Sequence, residues 1–438
     1  MKLIPVLIAL SLTAAASLAA QRPDTAAFVR FEASAPLVAR ADSLYAAKAY
    51  DAAAAANIAV AERGDWIHPG DLRYNAACSD ALAGKPELAL TQLRLAIAAG
   101  YRDAPQLESD PDLTTLHARP EWRAVVREVE DSVAAFRRTH SDPERARLVT
   151  TDIPRFWRAY DLAQEVPAAD RPAIYRRDYF AGGSIGLADY FLVKIHSVDR
   201  FSAFIDRTSK YYQSIRASTT KVANDVSAIR TVLRRMKQLY PAAVFPDIYF
   251  VVGRLTSGGT STATGLLLWS EMFAATPTSP RDEIGPGTRD FISNAGIIPT
   301  IVAHELVHFE QHMGGKEDLL RNVLVEGGAD FIAKVITGLE TDTASMRFGR
   351  EHEAMVWQRF QRDMHGTDYG YWIANGGSDR VGADWMHDMG YFVGFQIAQA
   401  YYQRAREKKA AIRDLLELKD PDALLQASGY GVGLGAGS

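Results

Sequence analysis

Residues 299–310 read PTIVAHELVHFE, and this stretch is the most informative pattern in the chain. Pro299 suits the first turn of an α-helix, where a missing backbone N–H costs nothing. The apolar residues around the two histidines predict that this helix is largely buried. His304 and His308 are four residues apart, so a helix brings both imidazoles to one face. We therefore expect a buried helix that carries two histidines with Glu305 between them.

The order His304, Glu305, any two residues, His308 is a metal-binding pattern. Two neutral imidazoles one turn apart can bind one zinc ion, and a glutamate beside the first can take a proton from metal-bound water. The pattern predicts one Zn²⁺ per chain, with the histidines as ligands and Glu305 as general base. The alternative is an exposed helix whose polar stripe has this spacing by chance.

A second helical stretch, residues 318–334, supplies a candidate third ligand. A three-histidine version of the motif is excluded, because Gln311 and Gly314 stand where it needs glycine and histidine. Glu326 and Asp330 are four residues apart and share one face of the second helix. A carboxylate is the expected partner of two histidines in a catalytic zinc site, so we expect Glu326 to be the third ligand. The alternative is a surface glutamate.

Together the two helices resemble the gluzincin pattern of thermolysin-like zinc peptidases. The resemblance implies that Glu326 is the third ligand and that Asp330 holds a ligand histidine by a hydrogen bond. Residues 248–400 also look like an uncharacterised bacterial group of predicted zinc-dependent peptidases, which share the S-G-G-T, E-G-G-A-D and G-Y-x-x-G patterns. This implies a zincin-like, mostly helical domain with a small sheet. Gly327 and Gly328 weaken the helix by about 1 kcal/mol each, which predicts close packing against the first zinc helix.

The middle of the chain predicts a small sheet. Residues 247–255 and 266–269 are rich in β-forming residues and read as strands, with a loop at 257–265 between them. We assign to residues 248–254 an open edge that an extended peptide could join through main-chain hydrogen bonds. The alternative is a sheet that only supports the site. Residues 274–295 predict a surface loop at the rim of the cleft.

A later helix, within residues 384–395, could complete the site. Its glycines, four apart, permit close approach to a neighbouring helix. Tyr391 and His387, taken as four apart on one helix face, are candidates to stabilise an oxyanion, with Arg380 behind them. The alternative is that the tyrosine packs in the core and the histidine is exposed on the surface. His312 lies a further turn along the first zinc helix, too far to share the ion.

Residues 21–140 predict a helical-repeat region of tetratricopeptide type. The pattern KAYDAA at 48–53 recurs as GKPELA at 84–89, and the offset from 48 to 84 is close to the repeat period of about 34 residues. Residues 100–122 look like the cap that ends many such arrays. The region could be an arm that binds a protein partner or a buttress packed on the following domain.

The first 20 residues predict a signal peptide, with Lys2 followed by a short apolar run and small residues. We expect a periplasmic or secreted protein, and an uncleaved anchor is the alternative. A lipid-modified N-terminus is not expected, because no cysteine lies near the cleavage point. Loss of Lys2 would change the formal net charge from −4 to −5, and with no basic run this argues against nucleic acid. The only cysteine, Cys78, excludes an intramolecular disulfide, and no later segment predicts a membrane span.

The sequence thus predicts a mainly α (α+β) chain. Residues 1–20 form the signal peptide, 21–140 the repeat region, 150–428 a gluzincin-like zinc peptidase domain and 429–438 a flexible tail. The predicted function is an exported zinc metallopeptidase that acts on a peptide or protein substrate. Two alternatives stay open. One is hydrolysis of a non-peptide amide, and the other is a non-catalytic exported scaffold whose repeats bind a partner and whose metal site is structural or a relic.

Overall fold

A computed structural model describes residues 25–289, 291–311, 317–340, 344–373, 385–432 and 434. The predicted signal peptide lies outside these residues. The described chain is mainly helical with one small sheet, so the predicted fold class is confirmed. No helix of the described part combines the length and the hydrophobicity that crossing a membrane requires.

In chain order the α-helices of the described residues are α1 (Thr25–Ala46), α2 (Tyr50–Arg63), α3 (Pro69–Leu82), α4 (Pro86–Ala98), α5 (Ala104–Ser109), α6 (Trp122–Thr139), α7 (Asp152–Gln164), α8 (Arg171–Ile174), α9 (Ile185–Tyr190), α10 (Val198–Arg207), α11 (Ser209–Thr219), α12 (Val226–Leu239), α13 (Pro286–Arg289), α14 (Ile298–Glu310), α15 (Leu319–Thr337), α16 (Ala344–Glu351), α17 (Glu353–Asp363), α18 (Met389–Arg404), α19 (Lys408–Glu417) and α20 (Pro421–Ser428). The strands are β1 (Leu148–Val149), β2 (Ile248–Val251), β3 (Gly259–Thr262) and β4 (Gly265–Trp269). Short 3₁₀ and π-helical turns join several of them, including the π-helical turn Phe191–Ile195.

The N-terminal helices α1 to α4 pack on one another in sequence. Small buried side chains such as Ala53 and Ala77 let neighbouring helices approach closely. The side chain of Phe28 in α1 points away from the other three helices and stacks on Phe180. The first helix therefore also belongs to the core of the following domain. The helical array is therefore packed against the rest of the chain and is not a free appendage.

The sheet has the strand order β1-β2-β4-β3. β1, β2 and β4 run parallel to one another, and β3 pairs antiparallel with β4. The assignment of an open edge to residues 248–254 is wrong, because β2 lies between two strands and is buried. The edge strands of this sheet are β1 and β3, and β3 lies inside the predicted loop at 257–265. Its Gly-Thr-Ser-Thr sequence has no apolar alternation, and pairing with β4 decides its conformation.

Glu271 fixes the chain that leaves β2. Its carboxylate is completely buried and accepts hydrogen bonds from the backbone N–H groups of Gly253 (2.8 Å) and Leu255 (3.1 Å). Leu255 has φ of 57°, a left-handed conformation that a leucine adopts only when its surroundings impose it. Burial raises the pKa of Glu271 to about 7, although the amide donors oppose the shift. The two bonds bracket Arg254 and so hold its backbone in place.

The raised pKa of Glu271 predicts a pH-dependent stability. Its pKa lies above the ordinary value of 4.5, so folding takes up a proton between about pH 4.5 and 7. This contribution to stability is complete below pH 4.5 and is lost as the pH rises through 7. Between pH 4.5 and 7 the free energy of unfolding of the wild type should fall as the pH rises. We expect Glu271→Gln to make this slope smaller by up to about 1.4 kcal/mol per pH unit. Denaturant titrations from pH 5 to 8 measure it, with the exposed Glu130→Gln as control. Equal slopes in both variants would contradict the prediction.

Helix α15 packs closely against α18, and glycines make this possible. A Cβ on Gly327 would overlap the backbone of Gly394 and Phe395, and a Cβ on Gly394 would overlap the carbonyl of Val323. Gly328 has open space at its Cβ position. The predicted packing of both glycines against the first zinc helix is therefore wrong. Only Gly327 is needed for the close approach of two helices, and the helix that it contacts is α18.

The end of the chain is partly packed. Tyr430 stacks edge-on against Trp357 with ring centroids 5.0 Å apart, and its hydroxyl donates to Glu353 at 2.9 Å. The start of the segment predicted to be a flexible tail is thus attached to α17. Residues 433 and 435–438 lie outside the described part.

Candidate metal centre

Helices α14 and α15 bring three potential ligands together. His304 and His308 lie one turn apart on α14, and Glu326 faces them from α15, with the ligand atoms all within 4.8 Å of one another. The Nε2 atoms of the two histidines are 2.9 Å apart. The Oε2 atom of Glu326 is 3.3 Å from Nε2 of His308 and 3.7 Å from Nε2 of His304. This is the set that the spacing of the sequence predicted.

Hydrogen bonds on the far side of each imidazole set its orientation. Nδ1 of His304 is 2.8 Å from the carboxylate of Asp330, and Nδ1 of His308 is 2.7 Å from Oε1 of Gln311. The amide nitrogen of Gln311 donates to the carbonyl of Val325 at 2.8 Å, so its Oε1 must accept. Both Nδ1 atoms therefore carry hydrogen and donate. In the neutral imidazoles both Nε2 lone pairs then point into the cluster, towards the carboxylate of Glu326.

The cluster favours positive charge. Burial disfavours ionised Glu326, but the charge of His308 and hydrogen bonds from both imidazoles outweigh it and hold the pKa of this carboxyl far below its usual range. Burial likewise disfavours a charged His304, but Asp330 and Glu326 outweigh it and raise the pKa of this histidine well above its usual value. Carboxylates also raise the pKa of His308. The electrostatics of the three groups therefore favour a bound cation, either a proton or a metal ion.

Glu305 lies beside the cluster and is 6% exposed. It packs against the edge strand, where a Cβ on Gly259 would come within 2.7 Å of its Oε1. Burial raises the pKa of Glu305, while the nearby charges of His304 and His308 oppose the shift. Glycine at position 259 therefore makes room for this carboxyl between α14 and β3.

Tyr391 and His387 occupy different positions. Tyr391 lies on α18 next to the cluster, since burial first, and then the carboxylates of Glu326 and Asp388, raise the pKa of its phenol. His387 precedes α18, which begins at Met389, so the two do not share a helix face as predicted. The left-handed conformation of Asp388, with φ of 58°, separates them. Nδ1 of His387 is buried with no hydrogen-bond partner among the described residues. Arg380 and His312 lie outside those residues.

Two features of the centre were missed in the sequence. In the sequence Gln311 is only a residue that does not fit the three-histidine motif, yet in the structure its side chain orients His308. It follows the last residue of α14 in an extended conformation, with ψ of 137°, so helical periodicity could not assign it to the site. Lys194 also lies close enough to Glu305 for its charge to act on this carboxyl, and it is far from the motif along the chain, so the sequence gives no signal for it.

A family model described as gliding motility protein GldB matches residues 187–432, which is more than half of the chain and contains the whole metal centre. No curated protein and no solved structure matches the chain significantly. The matched family consists of lipoproteins, so the chain is an exported protein.

This match corrects the function predicted from the sequence. The matched family is not a family of zinc peptidases, so the assignment to the gluzincin-type group is wrong. The predictions of a metallopeptidase, of hydrolase activity and of a peptide substrate are overturned with it. The physical reason is that two histidines one turn apart and a facing carboxylate can converge in a buried helix pair of any family. That arrangement does not by itself specify that bound water attacks a substrate.

Proposed function

This chain belongs to the family of the gliding motility protein GldB, and we propose that it is a non-catalytic binding protein of the cell envelope. In this proposal its helical domain is braced by one zinc ion and its surface binds a protein partner. The exported protein acts on the periplasmic side or is secreted.

The observation that supports zinc binding is that three groups with lone pairs converge on one point. The Nδ1–H groups of His304 and His308 are committed to Asp330 and Gln311, so in the neutral imidazoles both Nε2 atoms face Glu326 as acceptors. Acceptors held this close repel one another unless a cation lies between them. Two imidazoles and one carboxylate are a donor set that suits zinc. Bound there, the ion links α14 to α15 and stabilises the centre of the domain.

The surface of helices α1 to α4 supports the proposal that the protein binds a protein partner. Leu88 and Leu95 lie two turns apart on α4 and are 50% and 43% exposed. Leu82, at the end of α3, is also exposed. Exposed leucines on consecutive helices of a repeat are a surface that another protein can cover. The array is anchored to the rest of the chain through His68, whose Nε2 lies 2.9 Å from Asp189, so a partner bound to it would be held rigidly.

The proposal predicts zinc without proteolysis. We expect about one zinc ion per chain by elemental analysis of purified protein, because three donors from two packed helices suffice to retain it. We expect a peptide library to stay uncleaved above background, equally for the wild type and for Glu305→Gln. Cleavage by the wild type that Glu305→Gln abolishes would overturn the non-catalytic assignment. Protein that folds normally and takes up no zinc from the buffer would overturn the metal assignment.

A further inference from the structure

We propose that a basic cluster beside the metal centre, formed by Lys194, His196, Arg200 and Arg254, binds an acidic polypeptide segment of the partner protein. The inference rests on the proposed function, since it specifies the chemistry of the partner that the protein binds.

The cluster is built from two separate parts of the chain. Lys194 and His196 lie at the end of the π-helical turn Phe191–Ile195, and Arg200 follows on α10. Arg254 leaves β2 and its Nη2 donates to the carbonyl of Lys194 at 3.0 Å. This bond joins the two parts. The Nε of Arg254 is buried and has no hydrogen-bond partner among the described residues.

The charged groups of the cluster form no ion pairs within the described part of the protein. None of the four basic residues forms an ion pair with a described carboxylate, although the chain as a whole has a formal net charge of −4. Burial first, and then the neighbouring charges of Arg254 and Lys194, lower the pKa of His196. Like charges held this close repel one another, and an anionic ligand removes the repulsion.

The backbone around the cluster is held in an unfavourable conformation. His196 and Leu255 have φ of 58° and 57°, and a left-handed non-glycine residue costs about 1 kcal/mol or more. Glu271 maintains one of these positions through its bonds to Gly253 and Leu255. Such conformations concentrate at functional sites, where the surrounding structure imposes them. The backbone on either side of Arg254 is therefore fixed by the fold before any ligand binds.

The position of the cluster favours a polypeptide. The charge of Lys194 acts on Glu305, and Gly259 of the edge strand packs against the same carboxyl. The cluster and the open edge of β3 thus flank one point of the metal centre. An edge strand offers unpaired backbone N–H and C=O groups, which an extended chain can satisfy and a lipid headgroup cannot. A partner segment with acidic side chains would contact both surfaces at once.

The test uses zinc-loaded full-length protein and a fluorescein-labelled glutamate-rich peptide. Its control peptide has glutamine in place of each glutamate. We expect the acidic peptide to bind, the control peptide not to bind, and added salt to weaken binding. Lys194→Glu combined with Arg200→Glu should weaken binding at least about tenfold, since charge reversal replaces attraction by repulsion. These two changes leave the hydrogen bond from Arg254 to the Lys194 carbonyl in place.

Matched charge reversals at the exposed Arg406 and Lys409 serve as control and should leave peptide affinity and zinc content unchanged. Equal peptide affinity in the wild type and the Lys194/Arg200 variant would overturn the inference. Vesicles that contain phosphatidylglycerol, or inorganic phosphate, binding as tightly as the peptide would overturn the choice of a polypeptide. Zinc content, measured on the same samples, reports on the proposed function separately, because a zinc-loaded protein that ignores the peptide contradicts only the cluster.

Discussion

Replacing His304 with alanine is expected to reduce bound zinc from about one ion per chain to less than a tenth of that after dialysis. The variant keeps only His308 and Glu326, and two ligands do not retain zinc against a competing buffer. The Asp330 carboxylate, half-buried beside the lost imidazole, is also left without its donor. Elemental analysis of the dialysed variant measures the effect directly.

The same substitution should remove the dependence of stability on metal. An ion that binds only the folded protein stabilises it by about 2.7 kcal/mol at a hundredfold excess over its dissociation constant. We therefore expect a chelator to lower the melting temperature of the wild type and to leave that of His304→Ala unchanged. His352→Ala, at an exposed position before α17, is the matched control and should behave like the wild type. A chelator effect that persists in His304→Ala would contradict the assignment.

Residues behind the imidazoles should have smaller effects in the same direction. Asp330→Asn and Gln311→Ala leave all three ligands in place and remove only the groups that orient the histidines. Such outer contacts typically change metal affinity by about 10- to 100-fold. A competition titration with a zinc indicator resolves this range, whereas zinc content alone does not.

The sequence predicted that His304, His308 and Glu326 converge, because helical periodicity determines which residues share a face. His304 and His308 had to share a face of α14, and Glu326 had to share a face of α15 with Asp330. Residues outside regular helices could not be placed in this way. Gln311 orients His308 from beyond the helix end, and strand β3 owes its conformation to β4.

The biochemical role could not be predicted from those residues. A buried carboxyl at Glu305, raised in pKa by its burial, is compatible with a general base and equally with a side chain that fills space against Gly259. The family match over residues 187–432 decides between these interpretations, because it covers the centre and belongs to gliding motility proteins. The sequence pattern thus identified three groups that converge in the structure, and it did not identify a reaction.

A substitution at one of the two adjacent glycines in α15 is expected to have the second large effect, a loss of stability. We expect Gly327→Ala to destabilise the protein by about 3 kcal/mol or to prevent folding, because its Cβ would overlap the backbone of α18 at Gly394 and Phe395. Backbone atoms cannot turn aside as a flexible side chain can, so the two helices must separate. Chemical denaturation monitored by circular dichroism measures the loss.

Gly328→Ala is the matched control and should have the opposite sign. Its Cβ meets no atom within 4 Å, and alanine is favoured over glycine inside a helix by about 1 kcal/mol. The two variants have the same chemical change at neighbouring positions of one helix, so helix propensity alone would stabilise both. Opposite effects would identify the contact between α15 and α18 as the cause. Because Glu326 directly precedes Gly327, separation of these helices should also lower zinc content in Gly327→Ala and leave it intact in Gly328→Ala. Stabilisation by both substitutions would contradict the close packing of α15 on α18.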